Sequence, residues 1–413
     1  MPSYNSRTAC VQALQRWETS STFADEVLHD ALVSSQFNVF DRAFLTETFY
    51  GVLRHRTALD FLIRKLRDTE LDLQTRQVLR LGFYQIFWMR IPHHAAVNET
   101  VNLAGRAKGL VNALLRRAIR EKEDLDRALA EAPAPIRYSH PEFLIERWEQ
   151  HFTPEGAARL CEWNNTPAEI FVRPNRLKVT PGELLSAAPG AEAVPNHPLS
   201  IKVRQVPFHW IVQGLCYVQD PSTLMAVELL APLPGETVLD ACAAPGGKAS
   251  YMADLMRNEG RILACDSSRL RLERLKENLA RLSVTNTEVL RTDWQSPSLP
   301  FEPETFDRIL VDAPCTNTGV IRRRVDVRWR LTPADFELMP GRQRRILDAV
   351  LPLLKPGGTL VYSTCSLEPE ENEQVAEQLA RENSALTLEE MRRSQPHCDG
   401  IDGAYAAKFV KKG

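Results

Sequence analysis

The chain has 413 residues, more than one ordinary domain holds, so length alone predicts two or three folding units. Hydrophobic residues make up 44% of the chain and charged residues 25%, a composition that excludes a long disordered or low-complexity protein. The net charge of −2 argues against a protein that coats nucleic acid non-specifically, because such affinity comes mainly from neutralising phosphates.

Two further exclusions concern membranes and metals. No apolar run approaches the roughly 20 residues that cross a bilayer, and the first residues lack the apolar core of a signal peptide. We therefore expect a cytoplasmic protein without a membrane span. The 8 cysteines form no CxxC pair and no cluster at metal-ligand spacing, so we expect neither disulfides nor a metal site.

Residues 1–125 are predicted to be all helical. Leu79 and Phe83 lie one helical turn apart on one face, and Leu110 and Leu114 repeat that spacing later. A small helical bundle accounts for this pattern.

Residues 126–215 begin with the proline-containing stretch EAPAPIRYSHPEF, and each proline disfavours helix in the residue before it. This stretch marks a predicted domain boundary. A helix over ERWEQHFTPEGAARLCEW then mixes with the β-like runs EIFVRPN, SIKVRQV and WIVQGLCYVQD. We interpret this part as a linker and a small α+β domain.

Residues 216–413 alternate between strand and helix patterns. The runs ETVLDA, RILACD, EVLRTD, DRILVDAP and TLVYSTC predict strands, separated by helical patterns such as LERLKENLARL. This alternation predicts a parallel sheet with helices on both faces. Such sheets bind ligands at the carboxyl ends of their strands.

Three aspartates follow successive predicted strands at that edge: Asp266, Asp293 and Asp312. The first strand is followed by DACAAPGGKAS, whose small residues let backbone approach a ligand ahead of a helix. An acid about 20 residues past such a turn suits the hydroxyls of a ribose, and Asp293 could accept a hydrogen bond from an adenine amino group. The alternative is that the aspartates are helix caps or turn formers.

The Gly-rich loop matches neither GxxxxGK[ST] nor GxGxxG, so triphosphate and dinucleotide ligands lose support. A nucleoside cofactor without a pyrophosphate remains, and S-adenosylmethionine (SAM) fits that description.

Cys315 and Cys365 lie in polar loops beyond two of the apolar strands. A single buried cysteine is usually a small hydrophobic residue, but two at a ligand-binding edge indicate thiol chemistry. Methylation at carbon 5 of cytosine needs such chemistry, because a thiolate adding to carbon 6 makes carbon 5 nucleophilic. The second thiol can help to release the product. Asp312 could then bond the pyrimidine N3 and amino group, and Lys248 could hold the base or lower a thiol pKa.

With these residues in view, the chain resembles the Sun (Fmu, RsmB) family of ribosomal RNA cytosine-5 methyltransferases. The signatures are LDACAAPGGK, DAPC followed by TGVIRR and Trp329, and YSTCSLEPEENE. Residues 1–125, with VNETVNLAGRAKGLVNALLRRA, look like the NusB RNA-binding fold. Residues 126–215 resemble the family's RRM-like domain more faintly, and 216–413 its Rossmann-like catalytic domain.

The resemblance also implies residue roles. Cys365 becomes the covalent nucleophile and Cys315 the residue that aids product release, with Asp312 and Lys248 as catalytic partners. The implied SAM-binding residues are Cys242, Ala243, Ala244, Pro245, Gly246, Gly247, Lys248, Asp266, Asp293 and Asp312. The implied substrate is small-subunit (16S) ribosomal RNA, unassembled or partly assembled, with the target cytosine at position 967 in standard ribosomal RNA numbering. We expect a monomer.

Two features depart from the family pattern. Asn317 stands in TNTG where the family usually has the glycine of SGTG, and Ile401 and Asp402 replace the aromatics of its DGFF-type ending. Two other hypotheses stay open at this point: the same chemistry on tRNA or another ribosomal site, and a non-catalytic RNA-binding assembly factor.

Basic residues that could contact RNA occur in three groups, each of which is equally well explained as a solvated surface. They are Arg116, Arg117 and Arg120; Arg322, Arg323 and Arg324; and Arg342, Arg344 and Arg345.

Overall fold

A computed structural model of the chain describes residues 5–296 and 299–413. They form two compact units. The first unit, called the helical unit below, comprises residues up to 166 together with 321–330, and the second, the sheet unit, comprises 167–320 and 331–413. Within the described ranges, no helix combines the length and apolar character needed to cross a membrane.

The helical unit contains eleven helices before residue 166 in its described part. They are α1 (Ser6–Thr19), α2 (Ala24–Val33), α3 (Val39–Arg54), α4 (Arg56–Leu66), α5 (Leu73–Phe87), α6 (His93–Leu103), α7 (Lys108–Arg120), α8 (Lys122–Ala130), α9 (Ala134–Arg137), α10 (Glu142–Phe152) and α11 (Pro154–Asn164). The predicted apolar face is confirmed, because Leu79 and Phe83 are fully buried in the core of this unit.

The helix predicted over ERWEQHFTPEGAARLCEW is interrupted, and the prediction of one continuous helix was wrong. Pro154 has no N–H to donate and disfavours helix in the preceding residue. Thr153 accordingly adopts a φ of 74°, and its hydroxyl accepts a hydrogen bond from Gly156 N at 3.3 Å. Thr153 thus ends α10 and caps α11.

Residues 321–330 belong to the helical unit although they follow the Cys315 loop in sequence. They include the four-residue helix α17 (Val327–Arg330), and Val325 is buried in the helical core. Asp326 Oδ2 accepts hydrogen bonds from Ala24 N at 2.8 Å and from Trp17 Nε1 at 3.2 Å. Because Phe23, the N-cap residue of α2, makes no side-chain cap bond, Asp326 caps this helix from a distant part of the chain.

Replacing Asp326 with alanine is expected to destabilise the helical unit by about 2–4 kcal/mol, because a helix cap is lost and a buried indole N–H is left unpaired. Hydrogen exchange in the peptides covering α1 and α2 would accelerate. The control is Asp25→Ala, which removes an exposed carboxylate from the first turn of the same helix. Equal exchange in the two variants would contradict the capping role.

The sheet unit begins with a small antiparallel sheet of order β2-β3-β1-β4. Its elements are β1 (Ile170–Pro174), α12 (Pro181–Ala187), β2 (Glu192–Val194), β3 (His197–Val203), α13 (Phe208–Val212) and β4 (Cys216–Val218). The run WIVQGLCYVQD is only partly a strand, because its first residues, Trp210 to Val212, end α13. The predicted α+β mixture is otherwise confirmed.

A second sheet of seven strands follows, with helices between the strands. Its elements are α14 (Met225–Leu230), β5 (Thr237–Asp240), α15 (Gly247–Leu255), β6 (Arg261–Asp266), α16 (Arg269–Arg281), β7 (Thr287–Arg291), β8 (Phe306–Asp312), α18 (Pro333–Val350), β9 (Leu354–Thr364), α19 (Glu373–Glu382), β10 (Leu386–Ser394), α20 (Pro396–Asp399) and β11 (Ala404–Lys411). Strands β5 to β9 pair in parallel, and β10 and β11 add antiparallel pairs at one edge.

The order of the seven strands is β10-β11-β9-β8-β5-β6-β7, so the direction of chain progression reverses between β5 and β8. Open sheets of this kind bind ligands at such a reversal, outside the carboxyl ends of the strands. The predicted Rossmann-like fold is confirmed. In β8 and β9, Asp312 pairs with Ser363, which brings the loops containing Cys315 and Cys365 together just beyond the strands.

Candidate active site

The two cysteines singled out from the sequence are in contact. Cys315 Sγ lies 3.3 Å from Cys365 Sγ. Cys315 is buried, with 8% of its surface exposed, whereas Cys365 is half-buried. The hydrogen bond to Cys365 and burial together raise the pKa of the Cys315 thiol well above its usual value. Cys315 is therefore a neutral thiol at pH 7, and Cys365 is the more exposed of the two residues.

Asn317 occupies the position where the family pattern has a glycine, and its backbone conformation shows why asparagine is tolerated there. Its φ is 59°, in the left-handed region that glycine and asparagine tolerate best. Its Nδ2 donates to Cys315 O at 2.7 Å, and its Oδ1 accepts from Cys365 Sγ at 3.2 Å. The side chain thus bridges the two cysteine loops, a role that the sequence analysis missed.

Gly319 brings the same loops close through its backbone. Its N–H donates to Cys365 O at 2.9 Å, and its carbonyl accepts from Gly403 N at 2.8 Å. A Cβ at Gly319 would lie 2.7 Å from Cys365 O and 2.6 Å from Gly403 O, so only glycine fits here.

Asp312 and Lys248 form an ion pair at the end of β8. Lys248 Nζ lies 2.6 Å from Asp312 Oδ2, and Ser363 Oγ donates to Asp312 Oδ1 at 2.9 Å. Burial acts to lower the pKa of Lys248, but attraction by Asp312 and their hydrogen bond outweigh it and raise that pKa. The lysine is therefore cationic at pH 7, and the structure brings both predicted residues together.

The predicted cofactor loop, Cys242 to Lys248, runs from β5 into α15. Gly246 has a φ of 106° and caps the helix, while Ala244 and Pro245 are joined by a cis peptide bond. Backbone carbonyls of the loop are held by side chains of α16: Arg271 donates to Ala244 O at 2.7 Å and Asn278 to Pro245 O at 2.9 Å.

The remaining predicted acids differ in exposure. Asp266, at the end of β6, is buried, and its carboxylate accepts from Ser268 N at 2.9 Å and pairs with Arg271 at 3.3 Å. Asp293, in the loop after β7, is exposed and accepts from Gln295 N at 3.0 Å. Both aspartates thus make the contacts expected of turn formers, which was the alternative to a role in ligand binding. Each carboxylate still has lone pairs that could accept hydrogen bonds from a ligand.

Asp240, the last residue of β5, was not singled out from the sequence. It is 0% exposed, and both carboxylate oxygens are buried without a hydrogen-bond partner in the described part of the chain. Burial, reinforced by Asp312, raises its pKa to about 7. An orphaned buried carboxylate beside the Gly-rich loop suits a cofactor that carries positive charge, as SAM does on its sulfonium and amino groups.

This shift predicts how stability without cofactor depends on pH. The folded pKa of Asp240, about 7, exceeds its ordinary 3.8, so the folded chain binds the extra proton between these values. Its contribution to the free energy of unfolding must therefore fall as pH rises from about 4 to about 7. Asp240→Asn should gain stability relative to the native chain as pH rises from 5 to 8 in urea titrations. Parallel pH profiles would contradict the raised pKa.

Several arginines of the basic groups are engaged within the protein. Arg322 is buried with its guanidinium 4.0 Å from the Trp163 ring centre, and Arg117 pairs with Glu121 at 2.9 Å. Arg344 pairs with Asp348 at 2.8 Å. RNA binding by the three arginine groups stays a prediction.

Comparison with known proteins shows the family. The model for 16S rRNA methyltransferase RsmB/F matches residues 227–410, the NusB family model matches 4–120, and the ferredoxin-like domain of RsmF/B-like methyltransferases matches 140–205. Ribosomal RNA small subunit methyltransferase B of Pectobacterium carotovorum is 39% identical over 396 residues, covering 90% of this chain and 91% of the relative. The chain belongs to this family. The suspected resemblance is thereby confirmed.

Solved structures agree with the RsmB fold. The crystal structure of PH0851 covers 99% of both chains with a TM-score of 0.79 and 25% identity. NSun6 from Pyrococcus horikoshii, solved with SFG, an analogue of SAM, covers 66% of this chain with a TM-score of 0.59 and 23% identity. The RsmB family is SAM-dependent, so the cofactor prediction is confirmed.

Proposed function

We propose that this RsmB-family chain transfers a methyl group from SAM to carbon 5 of a cytosine in small-subunit 16S ribosomal RNA, at position 967. The transfer proceeds through a covalent bond between Cys365 Sγ and carbon 6 of the base. The observation that carries the proposal is the 3.3 Å contact between the Cys315 and Cys365 thiols at the sheet edge, beside the Asp312–Lys248 ion pair.

In the first step, the Cys365 sulfur adds to carbon 6 while the thiol proton passes, through the Asp312 carboxylate, to N3 of the ring. The reaction needs this addition because carbon 5 is otherwise too weak a nucleophile. Asp312 holds N3 and the amino group, and Lys248 keeps the Asp312 carboxylate oriented through their 2.6 Å contact. The Cys315 S–H can donate to the Cys365 thiolate, which stabilises the attacking sulfur.

After methyl transfer, the carbon-5 proton must leave and the bond between Cys365 and carbon 6 must break. Cys315 lies where it can assist both events, because carbons 5 and 6 are adjacent and its sulfur is 3.3 Å from that of Cys365. As the double bond re-forms and Cys365 leaves, the neutral Cys315 thiol gives its proton to the departing Cys365 sulfur and accepts the proton from carbon 5. The proton on N3 passes through the Asp312 carboxylate to solvent, so both thiols end as they began.

The cofactor supplies the methyl group as an activated sulfonium. The residues proposed to hold it are the backbone of the loop from Cys242 through Ala243, Ala244, Pro245, Gly246 and Gly247 to Lys248, together with Asp266, Asp293 and Asp312. The unpartnered carboxylate of Asp240 supports this placement, because it offers a negative group beside the same loop.

Access to both thiols requires a base that has left its stack, so the substrate is single-stranded or loop RNA in an unassembled or partly assembled small subunit. We propose that the NusB-like helices of residues 1–125 contribute to RNA binding, with 126–215 as a linker and small α+β RNA-binding domain and 216–413 as the catalytic domain. The enzyme is proposed to act as a monomer.

Bisulfite sequencing of RNA tests the substrate. Cells that lack the gene should lose one methylated cytosine at position 967 of 16S ribosomal RNA, and the native gene should restore it. Loss of a tRNA methyl group with an unchanged small subunit would contradict the substrate. Purified protein that binds SAM and ribosomal RNA but transfers no methyl group would instead favour an assembly factor.

A further inference from the structure

A buried carboxylate lies behind the two thiols. Glu371 is 0% exposed and lies between β9 and α19. Its Oε2 accepts from Thr316 N at 3.0 Å, and its Oε1 accepts from Ser366 Oγ at 2.7 Å and from the Thr316 hydroxyl. Since Thr316 follows Cys315 and Ser366 follows Cys365 in the sequence, this one carboxylate is bonded to both cysteine loops.

Gln343, on α18, completes the attachment of the Cys315 loop. Its Nε2 donates to Glu371 Oε2 at 2.8 Å and to Pro314 O at 3.1 Å. The backbone is therefore held on both sides of Cys315, at the carbonyl before it and, through Glu371, at the N–H after it. Such double attachment fixes the direction of the Cys315 side chain.

The backbone around Glu371 is itself fixed to β9. Tyr362 Oη donates to Glu371 O at 2.5 Å, and Asn372 Nδ2 donates to Ser366 O at 2.9 Å. Thr364 Oγ1 donates to Asn372 Oδ1 at 2.5 Å. Through Glu371, both cysteine loops are therefore held at a fixed place relative to β9.

A buried carboxylate costs free energy unless donors satisfy it, and a shared charged acceptor strengthens each bond in a region of low dielectric. Burial raises the pKa of Glu371, while the bonds from Thr316, Ser366 and Gln343 oppose that rise. Because the four donor groups on Thr316, Ser366 and Gln343 all lie on or beside the two loops, a change in the separation of the loops would strain bonds to the carboxylate.

We propose that Glu371 is the positioning residue that sets the distance between the Cys315 and Cys365 sulfurs. The inference rests on the proposed function for the roles of the thiols. Glu371 touches neither RNA nor cofactor in this scheme. Its effect reaches the reaction through Thr316, Ser366 and Gln343, and it should therefore affect the rate of the chemical steps and not the affinity for SAM.

The test compares Glu371→Ala with Glu371→Gln in the full chain. Alanine removes the shared acceptor. Glutamine can keep the bonds from Thr316 N and Gln343 through its oxygen and donate its amide hydrogens to the hydroxyls of Thr316 and Ser366, which can rotate. The matched control is Glu377→Ala, an exposed glutamate on α19.

The first readout is kcat for methyl transfer to unmethylated 16S ribosomal RNA. Glu371→Ala should lower kcat by about 100-fold, because a misplacement of about 1 Å at a reacting group has an effect of that size. Glu371→Gln should recover most of the activity, and Glu377→Ala should match the native chain. Affinity for SAM, measured by calorimetry, should stay the same in all three variants.

The second readout needs no RNA. Diamide accepts two electrons and two protons from a pair of close thiols, which become a disulfide. Mass spectrometry after brief exposure would measure the Cys315–Cys365 bond. Because a disulfide demands a narrow range of separation and direction, Glu371→Ala should slow its formation about tenfold, with Glu371→Gln close to native. If the alanine variant does not fold, Gln343→Ala should show smaller slowing in the same direction.

The outcomes separate the inference from the function on which it rests. Native rates of disulfide formation and of methyl transfer in Glu371→Ala, or a native disulfide rate in Gln343→Ala, would overturn the positioning role. If the native chain methylates no cytosine but Glu371→Ala still forms the disulfide more slowly than the native chain, the positioning role is upheld and the proposed function is overturned. If Glu371→Ala lost SAM affinity as well as kcat, Glu371 would have only a general structural role and the inference would be overturned.

Discussion

Replacing Cys365 with alanine is expected to abolish both methyl transfer and the covalent protein–RNA adduct. Without its sulfur no bond to carbon 6 forms, and carbon 5 is not activated. The half-buried position of Cys365 and the protonated state of Cys315 support this order. The measurements are incorporation of labelled methyl from SAM and a gel shift of protein bound to RNA under denaturing conditions.

Cys398→Ala is the matched control for Cys365→Ala, because Cys398 is an exposed free cysteine in α20. It should retain native activity and adduct levels. If Cys365→Ala still formed the adduct and the Cys315 variant did not, the two thiol roles would have to be exchanged.

Replacing Cys315 with alanine is expected to stop turnover while the adduct accumulates. Cys365 can still add to carbon 6, but the group that assists removal of the carbon-5 proton and release of the sulfur is gone. Denaturing gels should show a persistent protein–RNA complex after the methyl group has been transferred, with that methyl group retained in it.

Cys315→Ser and the double variant lacking both sulfurs sharpen this experiment. Serine keeps a small polar group at the position 3.3 Å from Cys365, so its adduct should be at least as abundant as that of Cys315→Ala. The double variant should form none. Rapid release of methylated RNA by Cys315→Ala would exclude Cys315 from the second half of the reaction.

Patterns between near neighbours in sequence predicted the fold class well. Leu79 and Phe83 are spaced by one helical turn, and the runs RILACD and TLVYSTC are apolar because strands in parallel sheets are buried on both faces. The same local reasoning failed at Thr153, where one predicted helix is two, although Pro154 carried the signal for the interruption.

The sequence also placed the candidate site at the strand ends, but not the contacts within it. Asp312 and Lys248 are 64 residues apart in the chain, and Cys315 and Cys365 are 50 apart. Parallel pairing of β8 with β9 and β5 brings all four residues to one edge of the sheet. The positions are predictable because parallel strands end at a shared edge. Their roles remain proposals.

Other features have no local signal at all. Nothing near Asp326 in the sequence indicates that it caps α2, since its partner Ala24 N is 302 residues away. Glu371 looks like any acidic residue of a polar loop until Thr316, 55 residues earlier, is seen to donate to it. Residues of this kind could be found only from the three-dimensional arrangement.

The methyltransferase and NusB-like assignments came from the resemblance of the sequence motifs to a known family. By itself, the sequence determined a helical first part, an alternating α/β part with a nucleoside-cofactor edge, and the two thiols as candidates. It did so because helix and strand periodicity, Gly-rich turns and strand-end acids depend on residues close together in the chain. Only the tertiary structure decided that the sulfurs lie 3.3 Å apart, that Asn317 and Glu371 hold their loops, and that residues 321–330 belong to the helical unit. Those features depend on hydrogen bonds between distant segments, which leave no periodic pattern in the sequence.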